Sequence, residues 1–427
     1  MPRLLPLRGL RYTPKAGEFG TLLAPPYDVI DAELRDRLAA ASPYNAVHLE
    51  FSSDGYDAVA ERVAEWVRTG VLAPDPEPTL YCYEQEYAYE GRTFRRRALI
   101  IGVEAQPWEE GAVRPHEYTL RGPKEDRLRL LQATGVQFSP VFLLARDRAG
   151  ALGELLSRTC ESRPADVAGR SLDGDLHRIW LLPAERAAVR AIAPLITETF
   201  YVADGHHRYE TAVSFKRWLA EQAGPLPEEH PARYAMAAVV PTGDPGLIVR
   251  PIHRHVPRPA PSDWRTRIGP WWRVTELPSA EAPALERALA HSPRTVVALG
   301  LEERPLALTL TDPAALASSV PGRRSEAWLS VPPNATYWGL IRPIWGITEE
   351  DLQAGAVEFL HTIDDALARH SRSAGVIFLL NPVSVDDVLR LADRGERLPQ
   401  KSTFFHPKLA TGLVFHPLRP DLPFLRG

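Results

Sequence analysis

Residues 200–210 hold the densest group of side chains that could do chemistry; the run reads Phe-Tyr-Val-Ala-Asp-Gly-His-His-Arg-Tyr-Glu. An apolar, β-branched and aromatic stretch stops at the Asp-Gly pair, and Ala212, Phe215 and Leu219 then recur at helical spacing. This pattern predicts a strand, a tight turn and a helix. The N–H groups at such a helix start can bind an anion, and Gly205 lets a ligand approach the backbone closely.

The first turn of that helix is filled by His206, His207 and Arg208. The helix macrodipole disfavours a cation there by roughly 0.3–1 kcal/mol. A negative partner therefore explains the cluster best, and a phosphate is the first candidate. The alternative is that Asp204 caps the helix and Arg208 pairs with an acidic residue elsewhere. Glu210 is expected to face outward.

Four other windows concentrate ionisable and hydroxyl side chains, as functional loops do. They contain Asp28 after two prolines; His116, Glu117, Thr119, Lys124 and Arg127 in a loop rich in Pro and Gly that precedes a helix; His253 and Arg254 in a His-Arg-His run; and Lys401, Ser402, Thr403 and Lys408 between prolines. Strand alternation puts His253 and His255 on one face, as two ligands or two phosphate contacts need. A solvated surface loop and a strand with a polar face are the alternatives for the second and third windows.

Composition narrows the class of protein. The 427-residue chain has 50 Lys and Arg against 54 Asp and Glu, and this near balance argues against a general nucleic-acid or membrane-surface binder. No apolar run approaches the ~20 residues that span a bilayer, and nothing resembles a signal peptide. The two cysteines, Cys82 and Cys160, are not clustered in the sequence, which indicates a reducing cytoplasm and excludes a cysteine-based zinc site.

Periodicity and linker signals predict a mixed α/β fold. We expect a core over residues 1–256 that carries the central motif, a second, smaller α/β domain over 257–372, and a C-terminal segment, 373–427, that returns to the active site. Alternating tyrosines predict a strand over 81–89 that turns at Glu90-Gly91 into a partner over 94–103. A short strand is expected at 46–50, and helices are expected over 57–69 and near 183–193.

Several well-known motifs are absent from the sequence. There is no Gly-x-x-x-x-Gly-Lys-Ser/Thr loop, no Gly-x-Gly-x-x-Gly, no His-Glu-x-x-His and no Gly-x-Ser-x-Gly. These absences argue against a P-loop kinase, a Rossmann dehydrogenase, a zincin and an α/β-hydrolase.

Five windows, in order, resemble a large bacterial family that is labelled a domain of unknown function and is marked by an Ala-Asp-Gly-His-His-Arg box. They are Ala-Pro-Pro-Tyr-Asp-Val (24–29), His-Glu-x-Thr with Pro-Lys-Glu-Asp-Arg (116–127), the box itself (203–208), Pro-x-His-Arg (251–254) and Pro-Gln-Lys-Ser-Thr (399–403). Tyr118 stands where the family has Arg, so no phosphate role is carried over to that position.

More distantly, the box resembles the ParB/sulfiredoxin superfamily, in which a strand, a glycine turn and a helix with a phosphate-binding Arg hold nucleotides. That superfamily includes free-serine kinases that use ATP or ADP, and members of the unknown-function family are often encoded beside serine-biosynthesis enzymes. The resemblance implies a ParB/sulfiredoxin-like nucleotide-binding core with a mixed sheet, and ATP or ADP as the cofactor.

We therefore expect phosphoryl transfer between a nucleotide and a small hydroxylated metabolite, with serine as one candidate, because such chemistry depends on positioning and charge neutralisation. Asp28 or Glu117 would orient or deprotonate the acceptor hydroxyl, Asp204 would bind Mg²⁺, and His206 is a further candidate catalytic residue. The expected ligand-binding residues are Gly205, His206, His207 and Arg208 with His116, Thr119, Lys124, Arg127, His253, Arg254, Lys401, Ser402, Thr403 and Lys408.

Two other functions fit the same anion site. One is a nucleotide-responsive regulator without turnover, and the other is a phosphate-ester hydrolase. In each case we expect a cytoplasmic protein, a homodimer as its assembly and a small phosphate-bearing ligand, with neither a membrane nor a nucleic acid as partner.

Overall fold

A computed structural model describes residues 3–51, 55–119, 121–183, 199–322, 324–372, 374–420 and 422. The chain divides into two compact units: unit 1 is Met1–Pro115, Thr119–Ile248 and Pro407–Gly427, and unit 2 is His116–Tyr118 and Val249–His406. The functional division expected at residues 256 and 372 stays a prediction. The helix expected near 183–193 falls almost entirely outside the described residues.

The strands carry the buried apolar runs of the sequence. They are β1 Leu4–Leu5, β2 Leu10–Tyr12, β3 Leu72–Pro74, β4 Thr79–Tyr89, β5 Arg92–Glu104, β6 Val113–Arg114, β7 Val136–Gln137, β8 Val141–Ala145, β9 Val167–Arg170, β10 Leu176–Pro183, β11 Phe200–Asp204, β12 Tyr234–Pro241, β13 Ile248–Arg250, β14 His253–Val256, β15 Trp272–Glu276, β16 Thr295–Leu299, β17 Leu306–Leu310, β18 Glu358–Leu360, β19 Val376–Leu379, β20 Phe404–His406 and β21 His416–Pro417.

The helices alternate with these strands. They are α1 Phe19–Leu22, α2 Ala32–Ala41, α3 Val47–Glu50, α4 Tyr56–Arg68, α5 Arg121–Thr134, α6 Ala151–Ser162, α7 His206–Ala223, α8 Trp264–Arg267, α9 Ala282–Ala290, α10 Pro313–Ser319, α11 Glu326–Leu329, α12 Pro332–Thr336, α13 Arg342–Trp345, α14 Glu349–Gln353, α15 Ile363–His370 and α16 Val385–Asp393. Together the elements confirm the expected mixed α/β class. Among the described residues, none of the helices is long and apolar enough to cross a membrane.

Unit 1 is built on a mixed sheet that has nine strands within the described residues, in the order β6-β11-β8-β12-β5-β4-β10-β9, with β1 paired to β5. β8 runs parallel to β12, and β6 runs parallel to β11. The central strands β8 and β12 are buried along their whole length, which explains their continuous apolar sequences. Helices α6 and α7 pack Leu152, Leu156, Tyr209 and Ala212 onto this sheet.

The tyrosine hairpin is confirmed: β4 pairs antiparallel with β5 from Tyr81 opposite Ile100 to Tyr89 opposite Arg92. The strand expected at 46–50 is wrong, because Val47–Glu50 forms a single helical turn. Asn45 explains the turn, since its side-chain oxygen accepts from the Val47 amide at 2.9 Å and its side-chain nitrogen donates to two backbone carbonyls. These local bonds replace the ladder partners that a strand requires.

Unit 2 contains a second sheet, entirely antiparallel, in the order β15-β17-β16-β19-β14-β18. Leu285 and Leu289 of α9 and Ala366 of α15 pack against β16 and β19. The His-Arg-His run lies in β14, between β18 and β19, so that both of its histidines are buried.

Unit 1 buries a neutral histidine, His177, whose Nδ1 lies 2.8 Å from the Tyr83 hydroxyl. Burial, aided by Arg96, lowers the pKa of His177 from 6.5 to about 3. As the pH falls, His177 is therefore protonated in the unfolded chain before it is protonated in the folded one. The free energy of unfolding consequently decreases between about pH 6.5 and pH 3, by roughly 1.4 kcal/mol per pH unit.

We predict that His177→Gln reduces the loss of stability between pH 7 and pH 5 by roughly 2 kcal/mol, because the variant has no imidazole to protonate. Denaturant unfolding at the two pH values measures it. The exposed His291 gives the control variant, His291→Gln, which should behave like the wild type. Equal pH dependence in His177→Gln and the wild type would contradict the prediction.

Candidate functional site in unit 1

The central motif forms the strand, turn and helix expected from the sequence. Strand β11 is fully buried between β6 and β8, and its register against β8 shifts between Val202 and Asp204. Gly205 follows with φ 88° in the left-handed region, and α7 begins at His206. The irregular end of β11 and the glycine turn thus deliver Asp204 and the first turn of α7 to the same place.

Gly205 is required for two reasons. Its positive φ disfavours any residue with a Cβ, and a Cβ placed there would lie 2.8 Å from Nε of Arg208. The Arg208 side chain therefore folds back over the turn that precedes its own helix. Gly205 also occupies the N-cap position, and no side chain caps α7. Asp204 is consequently not the helix cap that we considered from the sequence.

Asp204 is instead the acceptor for two cations. Lys408 Nζ donates to its Oδ1, and Arg208 Nη2 donates to its Oδ2 at 2.5 Å. Arg208 Nη1 also donates to the Pro140 carbonyl at 2.5 Å, so this buried guanidinium binds the protein itself. Burial alone would raise the pKa of Asp204, but Lys408, Arg208 and His206 outweigh it and hold the pKa below its usual range.

A second carboxylate, Glu210, lies one turn further along α7. It accepts from Lys124 Nζ at 2.9 Å, from Thr119 Oγ1 at 2.8 Å and from Trp108 Nε1 at 2.7 Å. Although burial raises its pKa, Lys124 and the two other donors lower it overall. The expectation that Glu210 faces outward is therefore wrong: it faces the segment that carries Thr119 and Lys124.

The loop expected over 114–127 is largely helical, since α5 begins at Arg121 and carries both Lys124 and Arg127. Arg127 Nη1 donates to Glu50 Oε2 at 2.7 Å, and its guanidinium lies 4.4 Å from the centre of the Tyr27 ring. Burial raises the pKa of Glu50 against the effect of Arg127. These three residues and Arg208 line a small cavity of about 40 Å³.

Asp28 lies in the 3-10 turn Tyr27–Val29 and is exposed. Burial lowers the pKa of His207, whereas the charges of Glu210 and Asp28 raise it. Asp28 therefore acts electrostatically on the first turn of α7.

Candidate functional site in unit 2

Unit 2 brings together Glu117 and the loop that contains Lys401. Glu117 Oε1 accepts from the backbone N–H groups of Ser402 and Thr403 at 3.2 and 3.1 Å, and from Thr403 Oγ1 at 3.0 Å. His116 Nε2 lies 2.8 Å from the same hydroxyl. Lys401 has φ 57°, a left-handed conformation that turns the two following N–H groups towards the carboxylate.

Arg254 supports this loop from β14. Its Nη2 donates to the Lys401 carbonyl and its Nη1 to the Ile252 carbonyl, each at 2.8 Å. Burial lowers the pKa of Arg254 to about 10, against the raising effect of Glu117. The guanidinium also lies 4.7 Å from the centre of the Phe359 ring. Arg254 thus holds the backbone that presents its N–H groups to Glu117.

The two histidines of β14 have different partners. His253 Nδ1 accepts from the Leu380 amide at 3.1 Å, and burial with Arg254 lowers the pKa of His253 to about 4. His255 Nδ1 lies 2.9 Å from Glu358 Oε2. In the part of the chain that the structure describes, no group of three or more His, Cys, Asp or Glu residues could hold a metal ion.

The candidate residues therefore form two groups, one in each unit. Unit 1 contains Asp28, Thr119, Lys124, Arg127, Asp204, Gly205, His206, His207, Arg208 and Lys408, and unit 2 contains His116, Glu117, His253, Arg254, Lys401, Ser402 and Thr403. Sequence reasoning missed Glu50 and Glu210 as ion-pair partners. Glu210 had a usable signal, because it follows His206 by four residues and so shares its helix face.

The chain belongs to the family described as a protein of unknown function (DUF1015), whose model matches residues 4–321. Membership of an uncharacterised family, expected from the five windows, is confirmed. The more distant link to the ParB/sulfiredoxin superfamily stays a prediction. No curated protein matches the chain.

Several solved structures are similar at low identity. SbnI with C-terminal truncation from Staphylococcus aureus has a TM-score of 0.37 and 12% identity, over 77% of this chain and 92% of that one. A free serine kinase in complex with AMP has a TM-score of 0.35 and 13% identity, and a conserved hypothetical protein from Pyrococcus furiosus has 0.33 and 15%; each covers 73% of this chain and 92% of its own. At these values the likeness establishes no shared activity.

We predict that Gly205→Ala lowers the free energy of unfolding by more than the roughly 1–3 kcal/mol expected for a strained backbone alone, because its Cβ also displaces the Arg208 guanidinium. The matched control is Gly150→Ala at the N-cap of α6, which has the same left-handed conformation (φ 70°, ψ 7°) and where a Cβ meets nothing within 4 Å. Denaturant unfolding compares the two variants, and equal losses would show that Arg208 does not depend on Gly205.

Proposed function

We propose, for a member of a family whose function is unknown, that unit 1 binds the phosphates of ATP or ADP at the start of α7 and transfers a phosphoryl group to a small hydroxylated metabolite. The observation that carries the proposal is the cluster at the start of α7, where the buried carboxylate of Asp204 accepts from Lys408 and Arg208 and keeps a lowered pKa in spite of its burial. Such a shift requires a strongly positive local potential. Lys408, Arg208, His206 and the positive end of α7 supply that potential, which suits a polyanion.

The exposed fractions of the three cationic side chains indicate which of them contact phosphate and which position other residues. The side chains of Lys124 and Lys408 are 35% and 14% exposed, whereas that of Arg208 is 7% exposed and donates to Asp204 and Pro140. We assign phosphate contact to the two lysines together with the N–H groups of α7. Arg208 then acts as a positioning residue that holds Asp204 and the glycine turn. This differs from the direct phosphate contact expected for Arg208 from the sequence.

The proposed metal ion is Mg²⁺. Mg²⁺ at phosphoryl-transfer sites is held mainly by phosphate oxygens and water, with one or two carboxylates. Both oxygens of Asp204 already accept from cations, so direct coordination by Asp204 would require Lys408 or Arg208 to move away. We propose that Mg²⁺ would be held mainly by the phosphates of the nucleotide, and that Asp204 holds the side chains of Lys408 and Arg208 in place.

Asp28 is the carboxylate that we propose acts on the hydroxyl group of the phosphoryl acceptor. It is exposed, it belongs to the same unit as the central motif, and its charge acts on His207. A carboxylate there would orient the acceptor hydroxyl and take its proton as the bond to phosphorus forms. Glu117 is the weaker candidate, because one of its oxygens already accepts three hydrogen bonds from the Ser402–Thr403 segment. Serine is the first acceptor to test.

Thermal unfolding against ATP, ADP, CTP, GTP and phosphoserine, each with and without Mg²⁺, tests binding. We expect a higher midpoint with ATP or ADP, because a ligand at a hundred times its Kd adds roughly 2.7 kcal/mol to stability. Absence of a shift with every nucleotide would contradict the proposal. A shift with phosphoserine alone would favour a hydrolase, and nucleotide binding without formation of a phosphorylated acceptor would favour a regulator.

We predict that Lys408→Met raises the nucleotide Kd at least tenfold, equivalent to about 1.4 kcal/mol, because the variant loses a cation at the phosphates. Calorimetric titration measures it, with circular dichroism to show that the variant is folded. The control is Lys216→Met, because Lys216 lies on α7 ten residues after its first residue and donates to the Ala105 carbonyl, away from the proposed phosphate contacts. Unchanged affinity in folded Lys408→Met would remove Lys408 from the site.

We predict that Asp28→Asn lowers turnover by roughly 10²–10⁴-fold and leaves the nucleotide Kd unchanged, because an amide cannot accept the hydroxyl proton. Product formation from ATP and serine measures turnover. The exposed Asp36 provides the control variant, Asp36→Asn. If Glu117→Gln abolished turnover while Asp28→Asn retained it, Glu117 and not Asp28 would be the residue that takes the proton of the acceptor hydroxyl.

A further inference from the structure

The chain's two cysteines, separated by 78 residues in sequence, meet in unit 1. Cys82 lies on β4 and is buried, and Cys160 lies in the last turn of α6 and is partly exposed. Their Sγ atoms are 3.4 Å apart. The two cysteines are far apart in the sequence but are neighbours in the folded unit.

This contact is unexpected by chance. A buried residue typically touches 6–12 others, so in a chain of 427 residues any particular second residue is a neighbour in roughly 1–3% of cases. Neither sulfur takes part in the proposed phosphate site, which is built from β11, α5, α7 and the segment around Lys408. The pair therefore calls for an explanation of its own.

We propose that Cys82 and Cys160 are a thiol pair that forms an intramolecular disulfide when the protein meets a small-molecule disulfide oxidant. A disulfide bond is about 2.05 Å long, so the sulfurs must approach by about 1.3 Å, which small side-chain rotations can supply. The bond would link the last turn of α6 to the central part of β4.

The order of the reaction follows from exposure. Cys160 is the accessible thiol, so its thiolate attacks one sulfur of the oxidant, forming a mixed disulfide and releasing one small thiol. Cys82 then loses its proton and attacks the Cys160 sulfur; the protein disulfide forms, the mixed disulfide breaks and a second small thiol leaves. Two protein thiols are thereby oxidised by two electrons, and one oxidant molecule is reduced to two thiols.

The surroundings of Cys82 make the second step the slow one. In the dithiol form the Cys160 thiol, followed by burial, raises the pKa of Cys82 well above its usual range. Burial still acts when Cys160 is in the mixed disulfide, so little Cys82 thiolate is present at neutral pH. Cys82 is then oxidised only through Cys160 and not by direct attack on an external oxidant. Polar bonds already join the same two layers, since Arg97 on β5 donates to Glu84 of β4 and to Ser157 of α6.

The test incubates the folded full-length protein with oxidised glutathione and identifies products by alkylation and peptide mass spectrometry. We expect a peptide pair linked through Cys82 and Cys160, and an unfolding midpoint higher by about 5 °C than in the reduced protein, because the link constrains a long loop in the unfolded chain. Dithiothreitol should reverse both changes.

Two variants keep the test decisive. Cys160→Ser should form neither a disulfide nor a glutathione adduct, and Cys82→Ala should form only an adduct at Cys160, without the higher midpoint. Circular dichroism shows whether each is folded. A wild-type protein that stays reduced, that stops at the Cys160 adduct or that forms only disulfide-linked dimers under saturating oxidant overturns the proposal.

Discussion

The buried carboxylate of Asp204 is the constraint on which the rest of unit 1 depends. It ends β11, it accepts from Arg208 one turn into α7, and it accepts from Lys408, which lies 204 residues further along the chain. A buried charge is costly unless it is paired and hydrogen-bonded. The end of β11, the start of α7 and the segment around Lys408 are therefore joined through a single side chain, and removal of either cation would leave the carboxylate poorly compensated.

The pairing of Asp204 with Arg208 and Lys408 changes how the cationic first turn of α7, His206 to Arg208, is interpreted. Positive side chains at a helix start suggested an external anion, and the structure shows that Asp204 supplies an internal one. The internal anion does not remove the positive potential, because the pKa of Asp204 remains low despite burial. Arg208 is buried and donates to Asp204 and Pro140, whereas Lys124 and Lys408 are more exposed and are the residues to which phosphate contact is assigned in the proposed function. Glu210 repeats the arrangement one turn later by holding Lys124 and Thr119.

In unit 2 a carboxylate, Glu117, accepts from backbone N–H groups, whereas in unit 1 the carboxylate of Asp204 accepts from charged side chains. The left-handed Lys401 turns the next two amides towards Glu117, and Arg254 donates to the Lys401 carbonyl. Polar groups from three distant windows of the sequence thereby satisfy one another inside one unit. Such an arrangement favours a rigid loop, because each buried polar atom has a partner whose loss would be costly.

The sequence by itself determined the local elements and the family. Apolar runs, glycine turns and 3.6-residue spacing placed β11, Gly205 and α7 correctly, as alternation placed the β4–β5 hairpin, because burial of one face leaves a periodic trace. Where local hydrogen bonds competed with that trace, as at Asn45, the prediction of a strand was wrong. The windows also identified an uncharacterised family, and they named most of the polar residues that the two units bring together.

Only the tertiary structure decided which of those residues meet. It paired Lys408 with Asp204, turned Glu210 inward to Lys124, placed Glu117 and Thr403 in unit 2, and brought Cys82 to Cys160. Each of these contacts joins residues at least 78 positions apart in the sequence. Periodicity reports how a segment faces the core, but it carries no information about which distant segment covers it, since that depends on strand order and on the path of the chain between sheets.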